Sequence, residues 1–263
     1  MDLNLTGKTA LVTGSSRGLG FAVAHLLAVE GANIVINGRN PDTLEDARLR
    51  IEKETGSLAA AVTGDLSLPA MPAAIVKQAA EIWGGLDILV TNAGGPPPGS
   101  FESLDDDAWD LSIQLSLMSH VRLIRAALPY LKDSSAASVL AIASYSVKQP
   151  IPKLVLSNSV RSATIGLIKT LALEIGGQGI RFNAILPGWT NTERVTELLQ
   201  ARAAANGTTV QQEMDQQMLD SPLGRMATPE EFANAAVFLT SPAASYITGH
   251  MLTVDGGMYK GTF

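Results

Sequence analysis

The amino-acid sequence predicts an α/β fold: one doubly wound, parallel sheet of seven strands, with helices on both faces. Three observations carry that expectation. Short apolar runs alternate with longer helix-prone segments through 263 residues, the pattern of successive right-handed βαβ units. The runs ALV, IVI, ILV and AILP are apolar on consecutive positions, as in strands covered on both sides. No internal repeat, low-complexity tail or long polar linker interrupts the chain, so a single domain over 1–263 is expected.

Strands are expected at 9–13, 33–37, 58–63, 86–91, 138–143, 181–186 and 251–254. Helices are expected near 18–29, 41–55, 69–83, 105–131, 155–176 and 229–240. Breakers fall between them, at Gly31-Ala32, Gly84-Gly85, Gly95 through Gly99, Gly176-Gly177 and Pro187-Gly188. The stretch 190–222 departs from the rhythm, being polar and helix-prone directly after a strand. In an open α/β sheet the C-terminal ends of the strands hold the ligand crevice, so this insert reads as a substrate lid. A surface excursion with no contact to ligand is the other reading.

Composition narrows the class. Hydrophobic residues make up 46% and charged residues 17%, enough apolar material for a large core and too little charge for disorder. Only 5% are aromatic, so core volume comes mainly from Ala, Leu, Ile and Val. The net charge of −6 repels phosphate backbones and anionic lipid, which argues against nucleic-acid or membrane partners. With no cysteine there is no disulfide or thiolate metal site, and His25, His120 and His250 stand far apart, so no metal is expected. No apolar run reaches the ~18 residues of a membrane span. The opening MDLNLTGK has no basic stretch leading into an apolar one. A cytoplasmic location is expected.

The first strand runs into Thr13-Gly14-Ser15-Ser16-Arg17-Gly18-Leu19-Gly20, where a helix begins. Glycines there let the backbone approach a pyrophosphate, and the helix N-terminus supplies unpaired N–H groups and a positive dipole end. The second strand ends at Asn37-Gly38-Arg39. NAD-selective sheets of this kind place a carboxylate about here for the ribose 2′-hydroxyl. Glycine stands there instead, with Arg39 next and Arg17 in the turn, and two guanidinium groups suit a 2′-phosphate. The expected cofactor is therefore NADP(H) on a Rossmann-type fold.

Taken together, the motifs resemble the short-chain dehydrogenase/reductase family, and more narrowly its 3-oxoacyl-[acyl-carrier-protein] reductase-like members. The matching segments are TGxxxGxG at 13–20, Asp65-Leu66, Asn92-Ala93-Gly94, Ser144, Pro187-Gly188, Asp255-Gly256-Gly257 and the stretch 222–249. The resemblance implies that Gly14, Ser16, Arg17, Gly18, Leu19 and Gly20 form the phosphate turn. It implies that Asp65 bonds the adenine amino group beside the Leu66 backbone, and that Asn92, Ala93 and Gly94 face the adenosine ribose. Pro187, Gly188 and Thr192 are implied to flank the nicotinamide. Asp65 and Asn92 also suit simple turn capping.

The active-site positions depart from the family. Ser144 occupies the serine place. Thirteen residues on, where the family has tyrosine, stands Ser157, and four further, in place of lysine, stands Arg161. Ser116 occupies the place of the family's helix asparagine. A serine hydroxyl is a far weaker acid than tyrosine, whose ordinary pKa is ~10, and an arginine stays protonated where lysine can relay a proton. The cofactor site thus reads as intact and the proton-transfer machinery as rebuilt. Tyr145 and Lys148 are substitutes to consider, with Tyr145 expected to pack away from the site and Lys148 to be a solvated loop charge.

Two functions follow. One is an NADP(H)-dependent oxidoreductase that moves hydride to or from a small carbonyl, alcohol or other activated double bond, using Ser144, Ser157 and Arg161. The other is a catalytically silent NADP(H)-binding module or partner subunit. Helices 105–131 and 155–176 correspond to those that pair between subunits in related folds, so a homo-oligomer, a tetramer of two-fold symmetry, is expected.

Overall fold

The computed structural model describes residues 1–262. Seven strands form one sheet in the order β3-β2-β1-β4-β5-β6-β7: β1 (Thr9–Val12), β2 (Asn33–Gly38), β3 (Ala59–Thr63), β4 (Ile88–Thr91), β5 (Ser138–Ile142), β6 (Arg181–Pro187) and β7 (Met251–Val254). Every neighbouring pair is parallel. The order reverses between β1 and β4, and the crevice beyond their C-terminal ends is where this topology admits a ligand.

The consecutive apolar residues of each strand serve two layers. On one face Leu89, Val139 and Phe182 pack with α3 (Met71–Trp83), α5 (Ser119–Lys132) and α6 (Val155–Glu174). On the other, Ile88, Val90 and Leu140 pack with α1 (Gly18–Val29), α2 (Pro41–Thr55) and α9 (Pro229–Thr240). The helix ends follow local chemistry. Asn40 caps α2 through Asp42 N and Thr43 N, Pro41 opens it, and Gly56 closes it at φ 73°. Thr228 and Glu231 form a capping box at the start of α9.

Several expected bounds need correction, among them that of α3, which starts at Met71 rather than 69. Strand β4 starts at Ile88 rather than 86: the Asp87 backbone still bonds Thr9 O (2.9 Å) and Ser138 N (3.0 Å), but the Thr9 N–H goes to the Asp87 carboxylate (2.8 Å), which also accepts from Ser134 Oγ (2.5 Å). The helix expected over 105–131 is α4 (Asp106–Ile113) and α5, joined by a π-helical turn at Gln114–Met118. In that turn the Ser116 carbonyl accepts from the Thr164 hydroxyl of α6 at 2.6 Å, and such single π turns are frequent at functional sites. Helix α6 stops at Glu174 and gives way to a 3₁₀ turn at Gly176–Gln178. The insert folds as α7 (Glu193–Asn206) and α8 (Val210–Met218), which pack on each other.

Candidate active site

The glycine turn is held from two sides. Asn92, just after β4, donates its side-chain amide to Gly14 O (2.9 Å), while its backbone N–H is received by Thr13 Oγ1 (2.9 Å). From β2, Asn37 O accepts the Ser15 N–H (2.9 Å). Gly14 and Gly18 lie at φ 56° and 61°, the left-handed region that favours glycine. A Cβ on Gly20 would fall 2.4 Å from Gly14 O, so only glycine lets α1 begin this close to the turn. The first amides of α1 have no side-chain cap and are free to bind an anion. These features fit a dinucleotide pyrophosphate.

At the end of β2, where an NAD-selective sheet has a carboxylate, stands Gly38, and a Cβ there would sit 3.3 Å from both Ser16 Cβ and Leu44 Cδ1. Arg39 is exposed and makes no ion pair among the described residues. Arg17 is engaged otherwise than the sequence suggests: its guanidinium pairs with Glu193 of α7 at 2.6 Å and lies 4.0 Å from Glu197. A cavity of about 280 Å³ between Ser16, Arg17, Thr43, Arg50 and Glu193 adjoins this end. A larger one, about 450 Å³, lies on the outer side between α1, α2 and the start of α9, away from the variant serines.

The other cofactor-side residues have structural duties as well. One carboxylate oxygen of Asp65 accepts from Ser67 N (2.9 Å) and Ser67 Oγ (2.8 Å), and Leu66 is buried. Ala93 is part-buried and Gly94 exposed in the loop after Asn92. Pro187 ends β6, and a Cβ on Gly188 would lie 2.7 Å from Asp255 Cα. The Asp255 carboxylate accepts from Gly257 N and Tyr259 N. Thr192 caps α7 through Val195 N, with its methyl over Gly18.

The variant residues converge at the end of β5. Ser144 Oγ accepts from Ser146 N (3.2 Å), and Ser146 Oγ lies 3.4 Å from Ser157 Oγ, so three hydroxyls line one corner. One helical turn beyond Ser157, Arg161 projects from the same face of α6. Its Nη1 donates to Ile142 O (3.3 Å) and Ala143 O (3.0 Å). Burial, reinforced by the positive charge of Arg194, brings its pKa down to about 10, which still leaves it protonated at neutral pH. His120 of α5 is buried with Nδ1 2.7 Å from Thr91 Oγ1. Burial and then the charge of Arg161 lower its pKa to about 3, so it is neutral.

Tyr145 is buried, and burial pushes its hydroxyl pKa up; it packs with Trp189 in the core beneath this corner. Lys148 is exposed, over the Tyr259 ring. The Ser116 hydroxyl is buried without a hydrogen-bond partner among the described residues. Sequence reasoning missed Ser146 and Arg194. Ser146 was signalled only by its two-residue spacing from Ser144. Arg194 lies within the insert, and its reach across to Pro96 O (3.3 Å) is a long-range contact that no local pattern announces.

A family model described as enoyl-(acyl carrier protein) reductase matches residues 14–259. The chain is a short-chain dehydrogenase/reductase. It is 32% identical to a 3-oxoacyl-[acyl-carrier-protein] reductase of Chlamydia muridarum, over 98% of this chain and 100% of that one. In structure it is similar to L-sorbose reductase of Gluconobacter frateurii, solved with NADPH and L-sorbose. The TM-score is 0.95 at 34% identity, covering 99% of this chain and all of that one. It is also similar to an NADPH-bound short-chain oxidoreductase of Pseudomonas aeruginosa PAO1 described as containing an atypical catalytic center. There the TM-score is 0.88 at 29% identity, covering 98% and 100%. The relatives in this family are oxidoreductases, and among the described residues of this chain no helix is long and apolar enough to cross a membrane.

Proposed function

We propose that this short-chain dehydrogenase/reductase is an NADP(H)-dependent oxidoreductase acting on a small carbonyl, alcohol or other activated double bond through Ser144, Ser157 and Arg161. The observation that carries the reading is the pairing of a complete glycine-turn cradle with a β2 end that carries glycine, not a carboxylate, followed by the exposed Arg39. When bound, the nicotinamide supplies or accepts hydride. Around it, the serine hydroxyls at 144 and 157 orient the substrate oxygen, with Ser146 holding both in register. Arg161 adds positive potential and donates to ribose hydroxyls. His120, the imidazole beside Arg161, is neutral and bonds Thr91, so the proton on the product oxygen comes from water or the substrate itself. The nicotinamide-side contacts of Pro187, Gly188 and Thr192, the adenosine-ribose contact of the Asn92-Ala93-Gly94 turn and the adenine contact of Asp65 follow the family pattern. Helices α7 and α8 act as the lid, and the protein works as a cytoplasmic homotetramer on a small-molecule substrate.

The test joins a binding titration to a turnover assay. NADPH should bind more tightly than NADH at fixed salt, and Arg39→Ala should abolish that preference. Equal affinities in the wild type would remove the NADP(H) assignment. Turnover on a panel of ketones, imines and activated alkenes would support the enzyme. NADPH binding with no turnover on any of them would favour the alternative, a catalytically silent nucleotide-binding module.

A further inference from the structure

From the juxtaposition of Arg161 and Arg194 beside the exposed Gly95 loop, we infer that the site takes a substrate bearing an oxyanion group, a carboxylate or a phosphate, bridged by these two guanidinium groups. This rests on the oxidoreductase reading and names the chemical class of its substrate.

The two cations come from separate elements. Arg161 belongs to α6 and Arg194 to α7. Both converge on Gly95: a Cβ built there would lie 3.8 Å from Nε and Nη2 of Arg194 and 3.9 Å from Nη2 of Arg161. The two Nη2 atoms are therefore no more than about 8 Å apart. A carboxylate accepting from each at the ~2.8 Å of a charge-assisted hydrogen bond can span any separation up to about that limit. A side chain at position 95 would project into the gap, and none is there.

Neither cation has an adequate counter-charge. Among the described residues Arg161 is held only by the carbonyl oxygens of Ile142 and Ala143, and the charge that acts on it is the like charge of Arg194. Arg194 donates to Pro96 O (3.3 Å) and has only a loose pair with Glu197 at 3.8 Å. The remaining titratable group packed against Arg161 is His120, which is neutral. Two like charges brought together across a cleft repel, one of them desolvated, and a bridging anion turns that repulsion into attraction. The donor count allows it. Two of the five guanidinium N–H groups of Arg161 are used by carbonyls, and three remain for a ribose hydroxyl and an oxyanion.

The experiment titrates NADP⁺-saturated full-length protein by calorimetry. The probes are 2-oxo, 3-oxo and 4-oxo acids of four to five carbons, each against its methyl ester, and inorganic phosphate. Initial rates with NADPH are measured on the same pairs. An oxo acid should bind at least about tenfold more tightly than its ester, and Arg194→Gln should reduce that ratio to near one. If phosphate binds with the same Arg194 dependence and no acid does, the oxyanion is a phosphate and the subsite stands. If neither acid nor phosphate binds to the NADP⁺ complex, or if binding survives Arg194→Gln, the inference is overturned. NADP⁺ binding is measured first in each variant. Its loss in the wild type would overturn the cofactor reading, whereas retained NADP⁺ binding without anion preference overturns only the subsite.

Discussion

At position 161 an arginine does what a lysine does not. Its Nη1 alone donates to both carbonyls at the end of β5, while Nη2 stands beside Gly95, so the cation is fixed by geometry and not only by charge. Replacing it removes a charge-assisted bond of ~1.5–3 kcal/mol. Arg161→Ala should therefore weaken NADPH binding by roughly ten- to a hundredfold, read by fluorescence titration. Ser157→Ala should leave that affinity within a factor of about two and lower kcat. Equal losses of affinity in the two variants would contradict the division of labour between them. His120 gives a second test. Its pKa is about 3 in the folded protein against ~6.5 unfolded, so between those values the unfolded chain binds the extra proton. Stability supplied by neutral His120 is complete above about pH 6.5 and is lost as pH falls toward 3, with a limiting slope of about 1.4 kcal/mol per pH unit. Denaturant midpoints between pH 7 and 5 should fall accordingly, and His120→Gln should flatten that part of the profile. An unchanged slope in the variant would show that other groups carry it.

Among the elements, α7 links the two ends of the crevice. Glu193 takes Arg17 of the glycine turn at 2.6 Å, and Arg194, one residue on, reaches the loop after β4. A 2′-phosphate must win Arg17 from Glu193. The pair is two-thirds exposed on both sides, so it contributes only ~0.2–1 kcal/mol and is screened by salt. Glu193→Gln should tighten NADPH binding by up to about fivefold at low ionic strength, lose that gain at high salt, and leave NADH affinity unmoved. Tightening of both nucleotides alike would show that α7 acts on the shared pyrophosphate instead. This link was not legible in the sequence. Gly14, Gly18 and Gly20 announce a turn because glycine spacing reports local backbone. Arg17 reads as a phosphate ligand there, since the acid facing it lies 176 residues away. The π turn at Gln114–Met118 was hidden for a related reason, as its period-breaking residue is justified by Thr164 of another helix.

Across the molecule, the expected sheet and its flanking helices appear nearly residue for residue, because doubly buried strands and capped helices write their periodicity into local sequence. The faces of those helices are less legible, since a small or apolar residue serves a core and a subunit contact equally well. In the structure α6 separates the two. Leu156, Val160, Thr164 and Ile168 are buried against the sheet, while Ser159, Ala163, Gly166, Thr170 and Leu173 are exposed. Those exposed positions are spaced four and three apart, which aligns them as a single stripe on one side of the helix. Gly166 leaves open space where a Cβ would project, and Leu173 is 76% exposed. Leu111 of α4, 52% exposed, adds apolar surface on an element that packs against α6. Small residues allow backbones to approach closely, and a two-fold axis would set each stripe against its own copy. The expected outcome is a tetramer in sedimentation velocity at micromolar concentration. Ala163→Arg would place like charges across that axis and should shift the boundary to dimers or monomers while far-UV circular dichroism stays unchanged. A wild-type monomer, or a tetramer indifferent to the arginine, would move the contact to another surface.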